Sequence, residues 1–69
     1  MGTDITIKFG KRVRKIRLGK DMSQGDVAKI MHVHPTYISQ IERGVENVSL
    51  KGIEKLAKAI GVSVGELTK

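Results

Sequence analysis

The feature of this sequence that most constrains its fold is a helix-start pattern that occurs four times. Each copy has an apolar residue before a polar cap and another apolar residue four positions after that cap. The flanking apolar residues pack together as a hydrophobic staple, and the cap accepts a hydrogen bond from an unpaired backbone N–H. The four copies are Met22-Ser23-Val27, Val33-His34-Ile38, Val48-Ser49-Ile53 and Val62-Ser63-Leu67. The pattern therefore predicts four separate helices.

Helical periodicity extends each start into a segment and adds one helix upstream. The five predicted helices cover residues 5–19, 23–31, 34–43, 49–60 and 63–68. The predicted apolar faces of these helices consist of Phe9, Val13, Ile16, Val27, Ala28, Met31, Ile38, Ile41, Leu50, Ile53, Leu56, Ala57, Ile60, Val64 and Leu67. Gly44, Gly61 and Asp21 follow helices at positions that favour a left-handed backbone. We expect one compact all-α domain of five helices over residues 1–69, since 69 residues allow only one domain.

The second and third predicted helices are joined by only about two residues, His32 and Val33, which is typical of a helix-turn-helix. Stepping about 100° per residue around the third helix places Thr36, Gln40 and Arg43 opposite its apolar face. Their hydroxyl, amide and guanidinium groups suit hydrogen bonding to base edges or phosphates. An ordinary hydrated surface is the alternative interpretation of the same face.

The charge distribution also indicates a polyanionic partner. The net charge is +6, and residues 8–20 contain seven basic side chains and no acid. Nucleic acid is the first candidate partner and an anionic membrane the second, while a solvated helix face would explain the charge without a partner. The apolar stripe of the first helix is needed for the core, which argues against a membrane role.

Other classes of function find little support in the sequence. The chain has no cysteine, which excludes disulfides and thiolate metal sites and fits a reducing cytoplasm. His32 and His34 lack the further ligands that a metal site needs, so a capping or surface role is expected. No catalytic constellation is present, and we expect no enzyme activity, cofactor, metal or small-molecule ligand. No apolar run is long enough for a membrane span, and no signal peptide is expected.

Two stretches of the chain resemble the phage-repressor-like (Xre-type) helix-turn-helix family. The first runs from Met22-Ser-Gln-Gly-Asp-Val-Ala to Val33-His-Pro-Thr-Tyr-Ile-Ser-Gln-Ile-Glu-Arg-Gly44. The second runs from Asn47-Val-Ser-Leu to Leu56-Ala-Lys-Ala-Ile-Gly-Val-Ser-Val-Gly-Glu-Leu67. Together they imply a lambda-repressor-like domain. The chain length, the Thr36–Ser39 string and the loop to Asn47 are further similar to controller proteins of restriction–modification systems.

The resemblance implies a role for individual residues. The residues at the family's base-contacting positions are Pro35, Thr36, Ser39 and Gln40. Those expected to contact the DNA backbone are Gln24, Tyr37, Arg43, Asn47, Ser49 and Lys51. Arg17 and Glu42 match the family's partly buried ion pair, which connects the first and third helices. The predicted homodimer interface in the region of helices four and five consists of Ile60, Val62, Val64 and Leu67, because relatives bind paired half-sites about one helical turn apart.

Two positions depart from the family pattern. Glu46 is acidic where controller proteins often carry a basic residue, so either the loop turns outward or the protein binds another site. Pro35 has no hydrogen-bonding side chain where many relatives have Arg or Gln, which leaves it a steric role. The operator sequence therefore cannot be named from these residues.

The leading functional hypothesis is a transcriptional regulator that binds a palindromic operator through the third helix in the major groove. We expect a repressor, with an autoregulatory controller as a further form of the same function, in the cytoplasm of a prokaryote close to its nucleoid. The alternative is a protein-bridging module of the coactivator or antitoxin kind, built on the same fold. A long tail beyond the fold would favour that alternative, and we expect none.

Overall fold

The computed structural model describes residues 3–69, and this part of the chain forms five helices without strands. The helices are α1 (Asp4–Gly19), α2 (Gln24–Met31), α3 (Pro35–Glu42), α4 (Leu50–Ile60) and α5 (Val64–Leu67). All five predicted helices and the all-α fold class are confirmed. Most predicted bounds differ only because the capping residue was counted as part of the helix. None of the described helices is long and apolar enough to cross a membrane.

Each helix begins at a polar cap that accepts a backbone hydrogen bond. The caps are Thr3, Ser23, His34, Ser49 and Ser63. The cap at Thr3 was not predicted, because no apolar residue precedes it to complete the staple. His34 caps α3 through its imidazole, whose Nδ1 accepts from the Thr36 N–H at 3.1 Å. Pro35 follows at the first helical position, where a missing N–H leaves no carbonyl unpaired.

Four helices end in the same hydrogen-bonded turn. Asp21, His32, Gly44 and Gly61 each adopt a positive φ after a helix, between 56° and 85°. The N–H of the following apolar residue then bonds to a carbonyl five residues earlier, which closes the helix end. In three of the four turns, that apolar residue also precedes the next cap. One apolar side chain therefore belongs to both the end of one helix and the staple of the next.

Helix α1 approaches the end of α3 closely, and Gly10 makes this approach possible. A Cβ at Gly10 would overlap the carbonyl oxygen of Ile41 and lie 2.8 Å from that of Glu42. Nearby, the Thr6 hydroxyl donates to the Gly44 carbonyl at 2.9 Å. These backbone contacts fix α1 against the end of α3, which is the helix expected to contact DNA.

The core lies between the helices and consists of Val13, Val27, Ala28, Ile38, Ile41, Leu56, Ala57, Ala59, Ile60 and Leu67. Two predictions are wrong here. Leu50 was assigned to the core but is 87% exposed, because the first turn of α4 extends beyond the packed helices. Ile60 and Leu67 were assigned to a dimer interface but are 3% and 0% exposed, because they fill the core of their own chain. Val62 is partly buried and Val64 remains exposed.

The contact at Gly10 gives a prediction that intrinsic helix propensity would reverse. Alanine is the better helix former, yet Gly10→Ala should destabilise the fold by about 1–3 kcal/mol because the methyl group meets backbone carbonyls. Gly19→Ala is the matched control, since a Cβ at Gly19 meets nothing within 4 Å. In urea unfolding, the free energy of unfolding of Gly19→Ala should equal that of the wild type or exceed it by up to about 1 kcal/mol. Equal effects of the two substitutions would show that the approach of α1 to α3 is not tight.

Candidate nucleic-acid interface

The turn between α2 and α3 sets the direction of α3. His32 has a left-handed backbone, with a φ of 59°. The Val33 N–H then donates to the Ala28 carbonyl at 3.0 Å, and His34 caps the next helix. Only three residues separate the two helices, so the chain bends sharply between them and the connection has no additional residues. His32 was not predicted in this conformation, because a side chain with a Cβ rarely adopts it.

Helix α3 has one buried face and one outer face. Ile38, Ile41 and Glu42 are buried. Four residues with predicted base contacts lie outside this buried set: Pro35, Thr36, Ser39 and Gln40. Pro35 and Thr36 are exposed, while the other two are half-buried and therefore more restricted in their side-chain positions. The structure thus brings the four to the solvent side of one short helix.

The residues predicted to contact the DNA backbone extend this surface along the chain. Arg43, Asn47, Ser49 and Lys51 are exposed and lie between the end of α3 and the first turn of α4. The Ser49 hydroxyl oxygen accepts from the Gly52 N–H at 3.0 Å. Its own hydrogen is not used in that bond, so it is available to donate to a phosphate oxygen.

Tyr37 is a residue of α3, and its side chain extends toward the start of α4. A Cβ at Gly52 would lie 3.7 Å from its phenol oxygen, so the hydroxyl reaches the first turn of α4. Burial raises the pKa of Tyr37, and the carboxylate of Glu46 raises it further. A tyrosine hydroxyl is already protonated at neutral pH, and the raised pKa extends the pH range over which it can donate a hydrogen bond. Glu46 is half-buried beside this interface, where its charge acts on the tyrosine.

Arg17 and Glu42, which the resemblance pairs, form a buried two-pronged ion pair between α1 and α3. Arg17 Nε donates to Glu42 Oε2, and Nη2 donates to Oε1 at 2.9 Å. Arg17 Nη1 also donates to the Met22 carbonyl at 2.7 Å, just before α2. The hydrogen bond to Glu42 raises the pKa of Arg17 above its ordinary value, in spite of burial. No buried side-chain nitrogen or oxygen in the described residues, those of this pair included, lacks a hydrogen-bond partner.

Gln24 joins this ion pair from the first turn of α2. Its Nε2 donates to Glu42 Oε1 at 3.1 Å, and the side chain is half-buried. An amide nitrogen carries two hydrogens, so the second remains available to a phosphate. Gln24 can thus support α3 and face the DNA backbone at once.

Sequence reasoning missed Arg14, whose Nη1 lies 3.9 Å from the same Glu42 oxygen. The available signal was its place three residues before Arg17, on a neighbouring flank of α1.

The histidine pair shows no sign of a metal site. His34 uses its Nδ1 in the cap of α3. Within residues 3–69, no group of three or more histidine, aspartate or glutamate side chains could hold a metal ion. The expectation that no metal or cofactor is bound stays a prediction.

The tight turn and the outer face of α3 define a helix-turn-helix protein. A family model described as helix-turn-helix matches residues 13–67. The chain belongs to this family, and the resemblance to its Xre-type members is confirmed.

Known relatives also confirm the narrower resemblance to controller proteins. Control protein C.BamHI of Bacillus amyloliquefaciens is 52% identical over 68 residues, covering 97% of this chain and 84% of that protein. The restriction–modification controller protein C.AhdI from Aeromonas hydrophila superposes with a TM-score of 0.86 at 40% identity, over 90% of this chain and 94% of that one. C.Esp1396I, solved as a tetramer with its natural 35 base-pair operator, gives a TM-score of 0.83 at 33% identity, over 97% and 99% of the chains.

Removing one member of the ion pair should destabilise the whole domain. In Arg17→Ala the Glu42 carboxylate stays buried without its main partner, so unfolding should become easier by about 3–5 kcal/mol. Thermal or urea unfolding measures this change. Lys15→Ala is the control, because it removes the same charge from an exposed position of α1.

The double variant Arg17→Ala, Glu42→Ala tests the cause of that loss. It should recover part of the stability, because no unpaired carboxylate remains buried. If Arg17→Ala melts like the wild type, the pair has no structural role.

Proposed function

We propose that this protein is a transcriptional regulator that binds a specific double-stranded DNA operator. Helix α3 is the recognition helix and enters the major groove. The observation that carries this proposal is the short, capped α3, whose outer face presents hydroxyl and amide groups from a rigid turn. A structural neighbour, C.Esp1396I, was solved on its natural operator, which supports the same use of the fold here. Repression of its own or a neighbouring promoter is the expected outcome of operator binding.

Four side chains of α3 divide the contacts with base edges. Gln40 can make two hydrogen bonds to adenine, and Thr36 offers both a hydroxyl and a methyl group that suits thymine. Ser39 offers a hydroxyl that can donate or accept. Pro35 contributes shape only, so the sequence preference depends chiefly on the other three.

The DNA backbone is held by groups on both sides of α3. On one side lies Gln24, the first residue of α2. On the other side, Tyr37 reaches from α3 toward α4, and Arg43 follows the last residue of α3. Asn47, Ser49 and Lys51 then add an amide, a hydroxyl and a cation around the start of α4, whose free N–H groups also favour an anion. Such contacts set the position of the recognition helix without carrying sequence information.

The regulator acts as a homodimer in this proposal, with its partner on the α4–α5 side. Leu50 is exposed one turn before Ile53, and Val64 is exposed one turn before Leu67. Ile53 and Leu67 line a groove of about 410 Å³ that also includes Ile5. Leu50 and Val64 leave apolar surface exposed to solvent, and exposed apolar surface favours association. The interface predicted from sequence is thus revised: Val62 and Val64 are kept, Leu50 is added, and the buried Ile60 and Leu67 are removed.

The proposal includes no catalytic step, cofactor or small-molecule effector, because binding alone accounts for the action of a helix-turn-helix regulator. We place the protein in the cytoplasm, where operator DNA is accessible in a prokaryote.

Selection of bound duplexes from a random pool, at two salt concentrations, tests the function directly. A palindromic consensus that persists at the higher salt is the expected result, since a two-fold dimer contacts a two-fold site. Binding without a consensus, and with a steep salt dependence, would indicate phosphate attraction alone. No binding at all would favour the protein-bridging alternative.

Paired substitutions should separate base contacts from backbone contacts. Gln40→Ala should weaken binding to the selected operator by about 1–3 kcal/mol and reduce the preference for one base at a single position. Lys51→Ala should weaken binding to all duplexes equally and lower the salt dependence of the affinity. Equilibrium titrations with the operator and single-base variants distinguish the two patterns. The same pattern for both variants would contradict the assigned roles.

The dimer face can be tested with a charge on its most exposed residue. Leu50→Glu should give a monomer in sedimentation experiments and weaken operator binding, because the two half-sites are then bound separately. Its melting temperature should change little, since the Leu50 side chain lies outside the core. Ile30→Glu is the control, with a similar exposed apolar residue on α2. A Leu50→Glu variant that stays dimeric would exclude this face.

A further inference from the structure

We infer that Arg14 and Gln24 form a clamp for one phosphate of the DNA backbone, at the edge where α1 meets α2. This inference rests on the proposed DNA-binding function and assigns a contact to one residue of α1, whose basic stretch the charge pattern linked to a polyanion only as a whole. It assigns a ligand to a side chain that otherwise has only a weak contact with the protein.

The two side chains converge on one atom. Gln24 Nε2 lies 3.1 Å from Glu42 Oε1, and Arg14 Nη1 lies 3.9 Å from the same oxygen. Both nitrogens lie within 4 Å of one carboxylate oxygen, so in this inference each donates to a phosphate oxygen bound beside Glu42. Each still has free hydrogens, because the amide carries two and the guanidinium carries five.

The local charge balance leaves this corner positive. Arg17 already neutralises Glu42 through two hydrogen bonds inside the protein. Arg14 therefore adds a positive charge without a full partner, and its side chain is 59% exposed while that of Glu42 is 3% exposed. An exposed guanidinium beside a neutralised buried pair suits a singly charged phosphodiester, which accepts hydrogen bonds from both donors.

The position of the clamp fits the proposed docking of the domain. Glu42 is the last residue of α3 and Gln24 the first of α2, so the corner lies beside the helix-turn-helix. A phosphate held there would border the groove that α3 enters. Apart from the inward-turned Arg17, no other cation of α1 within residues 3–69 forms an ion pair with Glu42.

Salt-dependent titrations of two neighbouring charge variants test the clamp. Arg14→Gln removes the proposed contact, and Lys15→Gln removes the same charge from the next exposed position. With the selected operator, Arg14→Gln should weaken binding about tenfold or more and lower the salt slope by about 0.9 for each protomer bound. Lys15→Gln should change the affinity by less than about threefold, since it acts only through screened charge. Both variants should melt like the wild type.

A double variant tests whether one phosphate is shared. Arg14→Gln and Gln24→Ala each lower the free energy of operator binding, and the loss in the double variant should be smaller than the sum of the two single losses. The reason is that either substitution alone already weakens the contact with the shared phosphate. Additive losses, or equal effects of Arg14→Gln and Lys15→Gln, would overturn the clamp. If these results occur while the wild type binds its operator, only this inference fails. If the wild type binds no duplex, the proposed function fails as well.

Discussion

The buried carboxylate of Glu42 is the constraint on which the rest of this small structure depends. A charge removed from water is tolerated only when opposite charge and hydrogen bonds replace the lost solvation. Arg17 supplies both from α1, and Gln24 adds a donor from α2. One side chain at the end of α3 thus holds three helices in a single arrangement. Since 69 residues bury only a modest core, this polar connection gives specificity that apolar packing alone would not.

The same arrangement separates stability from binding across the domain. Arg17 turns its charge inward, whereas Arg43 and Lys51, the charged residues among the predicted DNA contacts, are exposed. Tyr37 belongs to both parts, because its ring is half-buried while its hydroxyl reaches the first turn of α4. Glu46 lowers the positive potential near this tyrosine. The surface is therefore composed mainly of hydrogen-bond donors with local charge, which favours selective contacts over simple attraction to any polyanion.

Helix starts were predictable from sequence because a cap and its staple lie within six consecutive positions. The apolar face of α3 was predictable for the same reason, since Ile38 and Ile41 share one side of a short helix. Contacts between distant segments were not predictable from the residues themselves. The resemblance implied the Arg17–Glu42 pair, but nothing near Gly10 shows that the end of α3 lies against it. Leu50 was misplaced because helical periodicity gives direction but not how far the core extends. Periodicity likewise could not tell whether Leu67 faces its own chain or a partner.

The shared apolar residue in three of the connections has a consequence for how such a protein can evolve. Val33 both closes α2 and begins the staple of α3, so the connection has no spare position. An inserted residue there would break one of the two local interactions and rotate α3 relative to its support. Operator preference can therefore diverge through exchange of outer side chains such as Thr36 and Gln40, but not through changes in turn length. Related regulators would keep one common geometry while their target sequences drift apart.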